Sequence, residues 1–240
     1  MMRLDRFVSY AIGISRSSAH ELIKNHHVKV NYVVCMKINQ VIDEKNDCVM
    51  IDEKVLVYQQ YHYVMLNKPA GLISATCDDY HQTILDIIDY PVPLVPIGRL
   101  DKDTEGLVIL SNNGSLVHYL TSPKSNIWKT YYVRTRDILT KDYIRAFEQG
   151  FDLCDGKKVP YHSLPAHIDM VSSNEALVHL AEGKFHQVKK MFIVMENEVV
   201  YLKRMTIGPI QLDLTLEVGA YRPLNEDEIH QLLSLKSKEV

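Results

Sequence analysis

Hydrophobic positions follow two different rhythms along this chain. Near the N-terminus, Leu4, Phe7, Val8 and Ala11 recur at i, i+3, i+4 and i+7, the spacing of one buried helix face. Gly13 is placed to close that helix. Ser15 is placed as the N-cap of a second helix, with Ala19, Leu22 and Ile23 as its inner face. Stepping about 100° per residue puts Arg16, His20 and Lys24 on one exposed stripe of that helix. The run VKVNYVV, residues 28–34, alternates and predicts a strand. Beyond it the pattern changes, and YHYVMLNKPAG reads as a strand entering a Pro-Ala-Gly turn. That break predicts two domains, 1–58 and 61–240. Downstream, strand-like runs at 107–110, 130–133, 176–180 and 199–202 are mixed with helical stretches at 115–120, 140–149, 186–195 and 226–233. Strands and helices do not alternate regularly. The fold class expected is therefore α+β: a small N-terminal α/β module, then a domain with a mainly antiparallel mixed sheet and flanking helices.

Composition adds little to this picture. With 240 residues, 46% hydrophobic and 24% charged, the chain can bury a substantial core. The start MMRLDRFVSY lacks the apolar stretch of a signal peptide, and no run approaches the roughly 20 apolar residues that span a bilayer. The expectation is a cytoplasmic protein without a membrane partner. Cys35, Cys48, Cys77 and Cys154 are too scattered for a disulfide framework or a Cys-x-x-Cys clip and read as small buried hydrophobes. The eleven histidines show no ligand spacing, so neither a metal nor a cofactor is expected.

Charge changes the picture more. The chain carries a net −3, yet residues 1–40 hold Arg3, Arg6, Arg16, Lys24, Lys29 and Lys37 against Asp5 and Glu21, a net +4. A basic end on a small module is an electrostatic footprint for phosphate binding. The second charged feature is IGRLDKDTEGLVIL, residues 97–110. Here Asp101, Asp103 and Glu105, with Arg99 and Lys102, are bracketed by Gly98 and Gly106 ahead of an apolar strand. A loop leading straight into a core is held rigidly, which suits a reactive carboxylate; a salt-bridged surface loop would also fit.

The segment RLDRFVSYAIGISRSSAHELIKNHHVKVN resembles the small RNA-binding domain first described in the fourth protein of the small ribosomal subunit. It departs at Tyr32, where that family usually has Gly after Asn, which implies a less tight hairpin there. This resemblance makes Arg3, Arg16, Lys24 and Lys29 candidates for phosphate contacts. GRLDKDTEGLVILSNNG resembles the signature of pseudouridine synthases that carry such a domain. KTYYV at 129–133, EGKFHQVKKMF at 182–192, LKRMTIGPIQLD and GAYRPLNEDEI agree with it. The short length is closer to a synthase acting on small-subunit 16S rRNA than to its longer large-subunit relatives.

The resemblance implies Asp101 as the catalytic aspartate, Tyr131 as the active-site tyrosine and Lys189 as the basic partner of Asp101. It implies ribosomal RNA, or a subunit assembly intermediate, as the partner of a monomeric enzyme. Arg99 then either positions a flipped base or anchors the loop. Lys68 either borders the cleft or is a solvated turn lysine. Trp128 contacts RNA or fills a gap, and Asp103 and Glu105 are loop or surface charges. Three other readings compete: a pseudouridine synthase acting on large-subunit 23S rRNA, an rRNA-binding or assembly protein without catalysis, and a glycosidase-like pair of Asp101 with Asp103 or Glu105.

Overall fold

In the computed structural model, which describes residues 1–122 and 125–237, β1 (Met2–Arg3) leads directly into α1 (Leu4–Ile12). Leu4, Phe7 and Val8 of that helix are buried, and Gly13 ends it at φ +67, a left-handed conformation that glycine adopts without strain. The Ser15 side chain accepts from the Ser18 N–H and caps α2 (Arg16–Lys24), whose Ala19 and Ile23 are buried. Both helices pack on a sheet ordered β3-β2-β5-β6, formed by β2 (Val28–Val30), β3 (Val33–Val34), β5 (Val49–Ile51) and β6 (Lys54–Val55). A separate short pair joins β1 to β4 (Val41–Ile42). The run 28–34, which alternation reads as a strand, is a hairpin, as the resemblance implies. Asn31 and Tyr32 both take positive φ, +51 and +67, the pattern of a two-residue reverse turn.

The candidate phosphate ligands of this unit are not equivalent. Arg3 donates to both carboxylate oxygens of the buried Asp5, at 3.0 and 2.9 Å, and Asp5 also holds the His20 ring at 3.0 Å. Burial alone would raise the Asp5 pKa, but the bonds from His20, Arg3 and the Arg6 N–H outweigh it and hold the carboxyl below its ordinary range. Lys29 is paired with Glu53. Arg16 and Lys24 are exposed, with no ion pair among the described residues. The net +4 is also a property of the first forty residues only. Over residues 1–62 eight Lys and Arg stand against seven Asp and Glu, because residues 43–53 are acidic. One of those acids, Glu53, meets Lys29 on the sheet side, while Arg16 and Lys24 remain exposed on α2.

By contact density the chain divides into two units, Met1–His62 with Asp89–Pro93, and Tyr63–Ile88 with the chain from Leu94 onward. Residues 238–240, the end of the predicted second domain, lie outside the described residues. The second unit is built on a nine-stranded sheet with the main order β13-β14-β10-β15-β9-β7-β17. Its strands are β7 (Tyr63–Lys68), β8 (Val95–Ile97), β9 (Glu105–Ser111), β10 (Lys129–Thr135), β13 (His167–Met170), β14 (Glu175–Leu180), β15 (Val199–Ile207), β16 (Ile210–Gln211) and β17 (Tyr221–Pro223). β8 adds to β9, and β16 to β15. The β15–β9 pair is parallel and the others are antiparallel, the mixed α+β sheet expected.

Helices α3 (Gly114–Thr121) and α6 (Glu226–Ser237) cover one face, where Leu116, Leu120 and Leu232 close over Met65, Leu107, Ile109 and Ile207. α4 (Asp142–Gln149) and α5 (Gln187–Val194) meet through aromatic contacts, with Phe192 ring centroids 5.7 Å from Tyr143 and 5.4 Å from Phe147. A hairpin of β11 (Asp152–Cys154) and β12 (Pro160–His162) completes the unit. The cysteines depart from expectation: all four are free, but only Cys35 is buried, since Cys77 lies on an exposed loop and Cys154 on the hairpin.

Tyr32 is 75% exposed, so its ring contributes no packing to offset the left-handed backbone. Tyr32→Gly is expected to raise the unfolding free energy by about 0.5–1 kcal/mol. Urea unfolding at unchanged m-value measures it, and a loss of stability would show that the turn is not strained.

Candidate active site

β8 ends at Ile97, Gly98 at φ +78 turns the chain away from the sheet, and residues 99–104 form a loop before β9 returns to the core. The loop is clamped from behind. Leu100 exchanges both backbone bonds with the Ser74 hydroxyl at 3.0 Å, and the Gly71 N–H donates to the Lys102 carbonyl at 2.7 Å. The strongest clamp is Lys68, which has no solvent exposure. Its ammonium lies 2.8 Å from the Thr104 carbonyl, 3.0 Å from that of Pro69, 3.2 Å from that of Asp101 and 3.3 Å from that of Lys102. Burial pushes the Lys68 pKa down to about 8 against the opposing charges of Asp103, Asp101 and Glu105. Lys68 therefore neither borders the cleft nor sits in solvent. It is directed under the loop because the loop's carbonyls converge there.

The loop presents Asp101 to two groups near the start of α5. The His186 Nε2 is 3.4 Å from one carboxylate oxygen and the Lys189 Nζ is 3.8 Å from the other. Lys189 is closer still to Asp103, at 2.5 Å. Burial would raise the Asp103 carboxyl, but the hydrogen bond and charge of Lys189 prevail and hold it below its ordinary range. Glu105 belongs to the other side of the sheet, where it accepts from the Tyr201 hydroxyl at 2.7 Å. His186 takes a left-handed backbone, φ +53, immediately before α5, and its ring stacks on Phe185 at 3.8 Å.

That segment is stapled by the buried Gln187, whose amide donates to Glu182 at 2.6 Å and accepts from the Lys184 N–H at 2.9 Å. Val188, Met191 and Phe192 are buried and orient the helix so that Lys189 reaches the loop. Lys190 is half-buried rather than free in solvent. It donates to the Cys154 carbonyl at 2.7 Å and lies 4.9 Å from the centre of the Phe185 ring.

The sheet supplies the floor. In β10, Lys129, Tyr131 and Val133 point to one face and Thr130 and Tyr132 to the other, as strand alternation requires. Tyr131 is paired across β15 with Arg204, while Tyr132 makes an edge contact with Tyr201 on the opposite face. A cavity of about 390 Å³ opens over this floor, bordered by Arg99, Asp101, Tyr131, Lys189, His186 and Arg204 among others. Five fixed cations, Arg99, Lys129, Lys184, Lys189 and Arg204, line it against two carboxylates, Asp101 and Glu182. Burial and the Arg204 charge push the Lys129 ammonium down to about 8. Arg99 is exposed and forms no ion pair among the described residues.

The structure thus brings Asp101, Tyr131, Lys189 and Arg99 to one cavity. Arg3, Arg16, Lys24 and Lys29 belong to the first unit and do not line it. Lys129 and Arg204 were missed, and His186, which sequence reads as a hydrogen-bonded helix-start residue, makes no side-chain cap and faces Asp101 instead. Lys129 is two residues before Tyr131 and Arg204 two after Leu202, so strand parity alone would have placed both on the cavity face. Trp128, 44% exposed, stacks on His167 with an interplanar angle of 10°.

A carboxylate between two basic groups, beside a tyrosine ring in a cation-lined cavity, can act on the sugar or base of a nucleotide. The comparisons agree. A family described as RNA pseudouridylate synthase matches residues 62–193, and the chain belongs to that family. Among its relatives is the "Ribosomal small subunit pseudouridine synthase A" of Haemophilus influenzae, 37% identical over 97% of this chain and 100% of the relative. The "Uncharacterized RNA pseudouridine synthase YtzG" of Bacillus subtilis is 36% identical over 96% of this chain and 98% of its own length. A crystal structure of a pseudouridylate synthase, 36% identical, superposes with a TM-score of 0.66 over 97% of this chain and 100% of its own.

Lys68→Met leaves the loop's carbonyls without their shared donor. It should lower the unfolding free energy by about 2–4 kcal/mol, the cost of several unsatisfied buried groups. Urea unfolding against wild type reads this, and a change under about 0.5 kcal/mol would mean that Ser74 and Gly71 hold the loop without help.

Proposed function

We propose that this chain converts a uridine of small-subunit ribosomal RNA to pseudouridine, with Asp101 as the catalytic carboxylate, Tyr131 as the surface on which the uracil stacks and Lys189 as the cation paired with Asp101. The observation that carries the reading is the Asp101 carboxylate held between His186 and Lys189 at a cavity walled by Tyr131. The small-subunit target is supported by the names of the relatives.

The reaction is an isomerisation. The N1–C1′ bond breaks, the freed base turns over, a C5–C1′ bond forms, and the C5 proton is lost as N1 gains one. No oxidant, reductant or cofactor is needed. What the protein must supply is an anionic group near the sugar, a fixed platform for the loose base and a way to take the nucleotide out of its stack. Asp101, Tyr131 and the exposed Arg99 suit these three tasks. The net positive lining attracts a phosphate backbone although the chain as a whole is acidic.

The N-terminal unit acts as an RNA-docking module, and Arg16 and Lys24 contribute more phosphate affinity than Arg3 and Lys29, which already have carboxylate partners. The enzyme works as a cytoplasmic monomer on ribosomal RNA or an assembly intermediate. The glycosidase-like reading is weaker, because Asp103 is held ionised by Lys189 and would be a poor proton donor, and Glu105 is on the other side of the sheet.

Release of tritium from C5-labelled uridine in small-subunit rRNA tests the reading. Asp101→Asn should abolish release while RNA affinity stays within a few fold, since the amide keeps the shape and loses the charge. Lys189→Met should slow single turnover by orders of magnitude, as it leaves two carboxylates facing each other. Lys190→Met should cost about tenfold or less, through the hairpin it anchors. Residual turnover in pure Asp101→Asn would remove Asp101 from its role, and equal losses at Lys189 and Lys190 would remove Lys189 from its own.

A further inference from the structure

The cavity floor contains one group that the mechanism above leaves without a task. Arg204 is 2% exposed. Its backbone is fixed by two neighbours, Tyr131 on β10 and Gly106 on β9. Gly106 has φ +101, and a Cβ there would stand 2.3 Å from the Arg204 carbonyl oxygen, so only glycine lets the strands approach this closely. The side chain donates once, from Nε to the Leu107 carbonyl at 2.8 Å. Its Nη2 is buried with no hydrogen-bond partner, and among the described residues Arg204 forms no ion pair. A rigidly held, donor-only group with an unused N–H is costly in a folded core. Arg204 also borders the cavity, so an occupant of that cavity lies beside the guanidinium and can offer it an acceptor.

Resting on the uridine reading of the site, we infer that Arg204 is a specificity-determining residue that hydrogen-bonds the base carbonyl lying across the ring from the glycosidic bond. Asp101, 23% exposed at its side chain, is on the more open part of the cavity, so a ribose near it sends the far edge of the base toward the buried Arg204. In uridine the atom opposite N1 is C4, and the group presented is O4. When the base turns over about its N3–C6 axis, N1 exchanges place with C5 and C4 with C2. The group opposite the new bond is then O2. A donor-only guanidinium therefore meets a carbonyl oxygen both before and after the turn, and can hold the detached base through it. Cytosine breaks this match, because its amino group occupies the position opposite N1 and would face the guanidinium donor to donor. Nothing else in the mechanism distinguishes the two pyrimidines, since stacking on Tyr131 and phosphate attraction treat them alike.

The test uses a hairpin RNA whose loop pyrimidines are all uridine, a twin with cytidine and a twin with 4-deoxyuridine, which lacks O4. Dissociation constants are measured in the Asp101→Asn background, where bound uridine is not consumed. The uridine hairpin should bind about ten- to a hundredfold tighter than the cytidine twin, the range of one mismatched buried hydrogen bond. Arg204→Gln, whose amide can donate or accept, should bring the ratio within about threefold, and Arg204→Lys, still donor-only, should retain more of it. A merely structural Arg204 would weaken both hairpins equally and leave the ratio unchanged, which overturns the inference. If the Arg204 variants do not unfold cooperatively, the 4-deoxyuridine twin decides with Arg204 intact: weakened binding supports the contact, and binding as tight as uridine overturns it. Tritium release by the wild type separates the two readings. Without release the uridine reading fails; with release and an unchanged ratio only the role of Arg204 does.

Discussion

A lysine ammonium with no exposure to water fixes the loop that carries Asp101, and the geometry of the site follows from it. Lys68 ends strand β7, opposite Gly106 at the start of β9. From there its side chain passes beneath the loop and draws four backbone carbonyls to one point. A buried cation is expensive unless its donors are met. Here the same bonds that meet them define the conformation of residues 101–104. The carboxylate is thereby presented from a backbone that does not have to be ordered when substrate arrives, which is the condition for a positioned catalytic group.

The opposite half of the site depends on packing rather than on charge. Helix α5 is set by Phe192 against Tyr143 and Phe147, and by the Gln187 staple at its start. These contacts bring Lys189 to Asp101 and Asp103 together. The two halves are thus assembled independently and meet at one ion-pair cluster. The floor between them is the sheet, and the close approach at Gly106 is what lets Arg204 occupy its centre. The result is a positively lined cavity in a chain of net charge −3.

Much of this was legible from residue order. The i, i+3, i+4 spacing of Leu4, Phe7 and Val8, the cap at Ser15 and the alternation of β10 and β15 reported elements whose causes are local. The RLD and GRLD segments carried family information that spacing does not. What escaped has non-local causes. Lys68 reads as a turn lysine until the loop thirty-odd residues later folds over it. At Asn31 and Tyr32 spacing alone reads as a strand, and the resemblance and the backbone handedness make it a hairpin. The basic head shrank to one helix surface because the acids that offset it, among them Glu53 on Lys29, arrive later in the chain. Helix angle alone would leave Lys190 in solvent, because it says nothing of the hairpin packed beside it.

The central claim is that this cavity isomerises a uridine of small-subunit ribosomal RNA. Mapping every pseudouridine in the ribosomal RNA of a strain lacking the gene tests it most directly. The account predicts the loss of pseudouridine at one small-subunit position, restored by the wild-type gene and not by an Asp101→Asn copy. An unchanged small-subunit map, or a loss confined to large-subunit RNA, would contradict it.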